Sequence, residues 1–350
     1  MPAVAASPAP PRAVMAPWLD AVAVGGASLL VLPALLLLVP GSLRAFAGSS
    51  LVLLGVLFNW PHFIASYFLL YANRESVRRH PFAAIHVPVL LAAYTLVAVV
   101  VARSHPLPAN LLVVASGVYL ARHYTGQAWG MMASFAHVEG VRFSAGDRRL
   151  FRLDLDLLMA WHAIWAVKQS ARLLSPSLEG PVSLVYGWSF WLLGLAALAG
   201  LVGLVGFARG NGRLPPLRVM LPFLAIHVWY LAMARDPGAL FLVQIAHALQ
   251  YLGFPLRVQI NRAGGGPVVD WRRVALLWGT WVLIGLAVFE GLEPLFRAGF
   301  EATGGEGPLP VVISGAVISA IALHHYFVDG ALYKLRNPEV RRDLFAHLGR

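Results

Sequence analysis

Two adjacent histidines, His324 and His325, fall inside an apolar stretch near the C-terminal end of the sequence. His62, His123, His162, His227 and His247 fall inside others, with Arg122, Lys168 and Asp329 among them. Ionisable groups in hydrocarbon are costly, so they turn to the bundle interior, pair with one another and mark working sites. Neutral imidazole suits iron, copper and zinc. A metal-bound histidine usually hands its second ring nitrogen to a carboxylate or carbonyl, and Asp329, one helical turn after His325, is placed for that role.

Helical spacing groups these residues with other polar ones. Gly55, Asn59, His62 and Ser66 share a stripe, as do Ser116, Tyr119, His123 and Gln127; Gln244, His247, Gln250 and Tyr251 occupy one arc. His325, Asp329 and Tyr333 follow i, i+4, i+8, while His324 points about 100° away. The candidate metal ligands are therefore His62, His123, His162, His247, His324 and His325. Asn59, Tyr119, Arg122, Gln127, Lys168, Gln244, Gln250, Asp329 and Tyr333 are candidates for supporting them or for forming a polar pathway. Arg122 is too deep to reach the interface easily, so it pairs with Asp329 or another carboxylate, or binds an anion. A single intramembrane histidine can equally serve as a hydrogen bonder between helices, which is the reading for His227.

The elements that carry these residues are membrane spans. Of 350 residues, 59% are hydrophobic and 12% charged, where a soluble protein has about a quarter charged. A bilayer core needs ~20 apolar residues per helix, and ten segments qualify: 19–40, 48–71, 82–102, 108–134, 150–173, 183–207, 216–234, 238–256, 273–296 and 309–333. The expected fold is all-α, a polytopic integral membrane helical bundle of about ten transmembrane helices. It is organised as a disordered lead-in (1–16), one transmembrane domain (17–335) and a basic cytoplasmic tail (336–350). Pro61, within the second span, must free a backbone carbonyl that a neighbouring helix satisfies.

The charge of +11 suggests a nucleic-acid partner at first sight, but the basic residues lie in short loops and follow membrane topology instead. Twenty of the 27 Lys and Arg fall on one side of a ten-span bundle, five on the other and two inside. That asymmetry places both termini in the cytoplasm, and the location expected is a bacterial inner membrane. The sequence has no Cys, so disulfides, thiolate ligands and a Cys nucleophile are excluded. Phosphate-binding loops, dinucleotide fingerprints, zinc-peptidase and serine-hydrolase motifs are absent too.

The segments NWPHFIASYFLLY (59–71), ARHYTGQAWG (121–130) and HHYFVDGALYKLR (324–336) resemble those of uncharacterised polytopic bacterial membrane proteins. More distantly, the spread of histidines over several helices resembles the Brp/Blh-type carotene dioxygenases. That resemblance implies a catalytic iron held by membrane-embedded histidines, a carotenoid or isoprenoid-like substrate, and non-haem oxygenase activity. The partners expected are the bilayer and a lipophilic small molecule. Two alternatives stay open: a haem-binding electron-transfer protein using two facing histidines, and a proton-coupled transporter with a polar pathway at the midplane.

Overall fold

The computed structural model describes residues 12–38, 52–264, 266, 268–302, 309–332 and 338–348. These form twelve helices and no strand: α1 (Pro17–Leu38), α2 (Val52–Tyr71), α3 (Arg74–Arg79), α4 (Phe82–Val101), α5 (Leu107–Glu139), α6 (Ala145–Leu174), α7 (Pro176–Asn211), α8 (Leu217–Arg235), α9 (Ala239–Arg262), α10 (Trp271–Ala302, broken near Gly291), α11 (Leu309–Leu332) and α12 (Pro338–Phe345). Eight are long and apolar enough to cross a membrane: α1, α2, α4, α7, α8, α9, α10 and α11. The two remaining long helices, α5 and α6, have 33 and 30 residues but are too polar to qualify on the same grounds. The expectation of ten spans is thus met for eight.

Local sequence explains the joints. Gly140 at φ 70° ends α5 in the left-handed conformation, and a reciprocal capping box between Ser144 and Asp147 starts α6. The hairpin α5–α6 follows, and α6 pairs in turn with α7. Leu30, Leu37, Leu38, Trp188 and Trp191 are exposed on α1 and α7, a surface suited to lipid. Inside, Trp161, Trp229, Trp281, Tyr124 and Phe135 are fully buried.

Three spans contain a π-turn, and each loosened backbone is tied to another helix. In α2 the turn covers Gly55–Asn59 and Pro61 follows it. Proline cannot donate to the carbonyl four residues back; that carbonyl, on Leu57, accepts from the Trp278 indole of α10 at 2.7 Å. In α4 the turn covers Phe82–His86 ahead of Pro88. Here the Ala84 carbonyl accepts from Tyr71 at 2.8 Å, and the Ala83 carbonyl lies 2.8 Å from His324 Nε2. In α1 the turn covers Val22–Gly26, with Gly25 at φ 155° and the backbone of α8 so close that a Cβ there would lie 2.6 Å from the Leu221 carbonyl oxygen. The Gln250 amide of α9 donates to the Val24 carbonyl at 2.7 Å.

One end of the bundle gathers residues remote in sequence. Arg218 reaches Glu139, donates to the Arg12 carbonyl at 2.8 Å and lies 3.8 Å from Asp20. Arg79 pairs with Glu339, Arg262 with Asp343 at 2.9 Å, and His347 Nε2 lies 2.8 Å from the Ala13 carbonyl. Of the lead-in expected to be disordered, residues 1–11 lie outside the described residues. Ala13, Val14 and Met15 are instead buried, because Asp20 accepts the Val14 and Met15 amides at 2.7 and 3.0 Å. The tail is likewise docked rather than free: Leu344 and Phe345 are buried, and Asn261 holds the Asp343 carbonyl at 2.8 Å.

Candidate metal centre

Four helices deliver the donors. The α2 stripe presents His62, α5 presents His123, α9 presents His247, and α11 presents His325 and Asp329, all five residues buried. The rings meet tip to tip. His123 Nε2 lies 2.9 Å from His247 Nε2, and His325 Nε2 lies 3.1 Å from His62 Nε2. Asp329 Oδ2 faces the same point, 3.4 Å from His325 Nε2 and 3.8 Å from both His62 Nε2 and His123 Nε2. One donor atom from each of His62, His123, His325 and Asp329 lies within 4.8 Å of all the others. This group could hold a metal ion.

The satisfaction of Asp329 is lopsided. Its Oδ1 accepts from Ser66 at 2.6 Å and from Tyr251 at 2.9 Å, whereas Oδ2 is buried with no hydrogen bond. A buried carboxylate oxygen without a donor is costly, and its aim at three imidazole nitrogens is what a cation would satisfy. The expected role of Asp329, orienting His325 through its second nitrogen, is corrected by this geometry. The carboxylate meets the Nε2 edge and stands among the candidate ligands.

The Nδ1 atoms of His62, His247 and His325 have no hydrogen-bond partner among the described residues. Aromatic packing orients these rings instead. His62 lies against Tyr251 and His325 against Phe63, with centroids 4.7 and 4.4 Å apart. His247 lies against Tyr124 at 4.5 Å and His123 against Tyr326 at 4.6 Å.

Two of the six histidine candidates stand apart. His162 Nδ1 is 2.9 Å from the Tyr230 hydroxyl, and the Tyr124 ring neighbours both His162 and His247. His324 turns away from its neighbour to the Ala83 carbonyl and stacks on Tyr67 at 5.2 Å. Its place is a tie between helices, set by the 100° step from His325. His227 is also a tie, with Nε2 3.1 Å from Asp154 Oδ2.

The polar candidates divide similarly. Gln127 donates to the His247 carbonyl at 3.0 Å and to Gln250 at 3.3 Å, lacing α5 to α9. Asn59 is buried in the π-turn that precedes His62. Gln244 is half-buried about one turn before His247. Lys168 lies within electrostatic range of Glu179, at the start of α7. Tyr333 lies outside the described residues. Tyr119 stacks on Phe327 at 5.0 Å, and the Arg122 side chain has no hydrogen-bond or ion-pair partner among the described residues, so the pairing expected with Asp329 is not made. Ser66 and Tyr251, which hold Asp329, share helical faces with His62 and His247; that spacing was their only signal.

A partly open cavity of about 830 Å³ reaches the centre from one side. His123, Asp329 and Tyr251 line it; His62, His247 and His325 do not.

Fold and site together define a multi-pass helical membrane protein with a buried three-histidine, one-aspartate group able to hold a metal ion. Comparison with protein-family models, with curated proteins and with solved structures finds no match.

Proposed function

We propose that the protein is a membrane-embedded non-haem iron oxygenase acting on a lipophilic substrate of carotenoid or other isoprenoid type. The observation that carries this reading is the donor set itself: imidazole nitrogens of His62, His123 and His325 and one carboxylate oxygen of Asp329, all within 4.8 Å of one another, with His247 beside His123. Two ligands about 2.1 Å from an ion are about 3.0 Å apart at a right angle and about 3.4 Å apart at the tetrahedral angle. The nitrogen pairs at 2.9 and 3.1 Å are close enough to share one ion, and His247 offers a further imidazole beside the four-donor group. Imidazoles with a carboxylate suit iron. Nitrogens on opposite faces of a haem need about 4 Å between them at bonds near 2 Å, with a porphyrin plane in the gap. The short spacings speak against that alternative.

Bound iron would supply open positions and electrons for oxygen chemistry. The residues of this chain supply the rest. Ser66 and Tyr251 occupy Oδ1 of Asp329, leaving Oδ2 free to face the ion. Phe63, Tyr124 and Tyr326 pack around the rings and exclude water. His62, His247 and His325 close the rear of the centre, so a substrate arrives from the cavity on the side of His123 and Asp329.

The same reading takes the bundle as ten-spanning, in a bacterial inner membrane with both ends cytoplasmic. At 1.5 Å per residue, the 33 and 30 residues of α5 and α6 extend about 50 and 45 Å, enough to cross. Contact of His347 with Ala13 requires an even number of crossings between them.

Metal and optical analysis of the purified protein tests the proposal. Stoichiometric iron without a Soret band is expected, lost in His325→Ala and kept in His324→Ala. A Soret band, or protein purified without metal and unable to take up iron, overturns it.

A further inference from the structure

The cavity wall beside the centre carries a cation with no ion-pair partner among the described residues. Arg122 immediately precedes His123 on α5, is exposed, and has no carboxylate within ion-pair distance among the described residues. Its Nη1 lies 3.6 Å from where a Gly126 Cβ would be, so the guanidinium leans along the helix about one turn beyond His123. On the facing helix α6, Arg152 lines the same cavity and stacks over Trp129 at 4.9 Å. Asp156 lies on this wall too, yet it makes no ion pair with either arginine. In the other direction along α5, Tyr119 and Phe327 form an aromatic wall with ring centroids 5.0 Å apart. One stretch of the wall thus carries Arg122 and Arg152 and another the Tyr119–Phe327 pair, with His123 and Asp329 between them; Arg79, which lines the cavity beyond Phe82, is paired with Glu75 and Glu339. Its volume of about 830 Å³ falls within the range of about 300–1,000 Å³ usual for small-molecule sites.

We infer that the cavity binds an amphiphile with an anionic head, a carboxylate or phosphate, on an apolar chain. Arg122 receives the head and the Tyr119–Phe327 wall receives the chain. An unpaired guanidinium beside apolar walls is matched by an oxyanion through charged, two-pronged hydrogen bonds. A neutral hydrocarbon would leave it unmatched. The inference rests on the oxygenase reading only in taking this cavity as the substrate's. It adds that the chain enters with its head about one helical turn from the centre, so the carbons presented there are the first few after the head.

Binding can be measured by titration calorimetry on the full chain in zwitterionic nanodiscs. The probes are hexadecanoate, hexadecyl phosphate, hexadecanol and inorganic phosphate. Both anionic amphiphiles should bind about tenfold or more tighter than the alcohol, as expected for a hydrogen bond to a charged group. Arg122→Gln should abolish that preference and Arg122→Lys should keep most of it, with metal content unchanged in both. Equal binding of alcohol and acid overturns the inference, as does a preference that survives in Arg122→Gln. Inorganic phosphate binding as tightly as hexadecyl phosphate also overturns it, because the site would then hold a free anion. Repeating the titration on chelator-stripped protein separates the two readings. Preferential binding by a protein that never takes up iron sinks the oxygenase and leaves this inference standing, and an iron protein without the preference does the reverse.

Discussion

At the scale of the residue, direction decides function more than residue type does. His324 and His325 are chemically identical neighbours, yet one ties α11 to the open carbonyl of α4 and the other meets His62. His325→Ala should therefore empty the centre. His324→Ala should keep the metal and lose about 1 kcal/mol of stability, the usual net value of a hydrogen bond. Parallel metal analysis and thermal melts would check the pair, and equal metal loss in both would remove the distinction. Asp329→Asn keeps the shape but removes the charge facing the nitrogens. Even outer partners of metal ligands are worth about 10–100-fold in affinity, so an iron titration should show at least the lower figure, with smaller losses for Ser66→Ala and Tyr251→Phe. Unaltered affinity in Asp329→Asn would exclude the carboxylate from the centre. Much of this set is legible from spacing alone: His62, His123, His247 and His325 each lie on a polar stripe. Spacing turns His324 about 100° off the His325 stripe but gives it no partner, and it does not set His162 apart. A polar stripe tells which way a side chain leaves its helix, not whether a tyrosine or a loose carbonyl waits there.

At the scale of the element, the irregular turns matter most. Pro61 makes the disruption in α2 predictable, since it must free the carbonyl four residues earlier. The partner, Trp278, lies 221 positions away and could not be read from any local pattern. Replacing Trp278 with Phe leaves the half-buried Leu57 carbonyl without that donor, at a cost of about 1 kcal/mol. Chemical denaturation should report that loss. Gly285 is a second control on α2, because a methyl there would lie 2.6 Å from Trp60 Cβ. Gly285→Ala should push α2 away from α10 and displace His62. The expected result is weaker iron binding without any change to a ligand, and native affinity in that variant would show that α2 is not held so tightly. Helices α5 and α6 are expected from sequence to be spans but are too polar to qualify by apolarity alone. They carry His123, Asp154 and His162 inward, where neighbouring helices rather than lipid receive those groups, and Arg122 onto the cavity wall.

At the scale of the whole molecule, the gathered end should face the cytoplasm if basic asymmetry governs insertion. Reporter fusions in the loops at 140–150 and 262–272 should both report cytoplasm, and a periplasmic signal from either would reverse the orientation. The centre also joins helices that are distant along the chain. Its donors begin at His62 and end at Asp329, and both the third imidazole of the group and its carboxylate arrive with α11. A chain still emerging from the ribosome can insert α2, α5 and α9 and display three unclosed imidazoles, but it has no complete cage. If the group holds the proposed iron, metal loading is then the last event of biogenesis, a seal on correctly assembled helices. In iron-starved cells the chain should still insert yet be degraded faster, and pulse-chase lifetimes independent of iron supply would show that assembly proceeds without that seal.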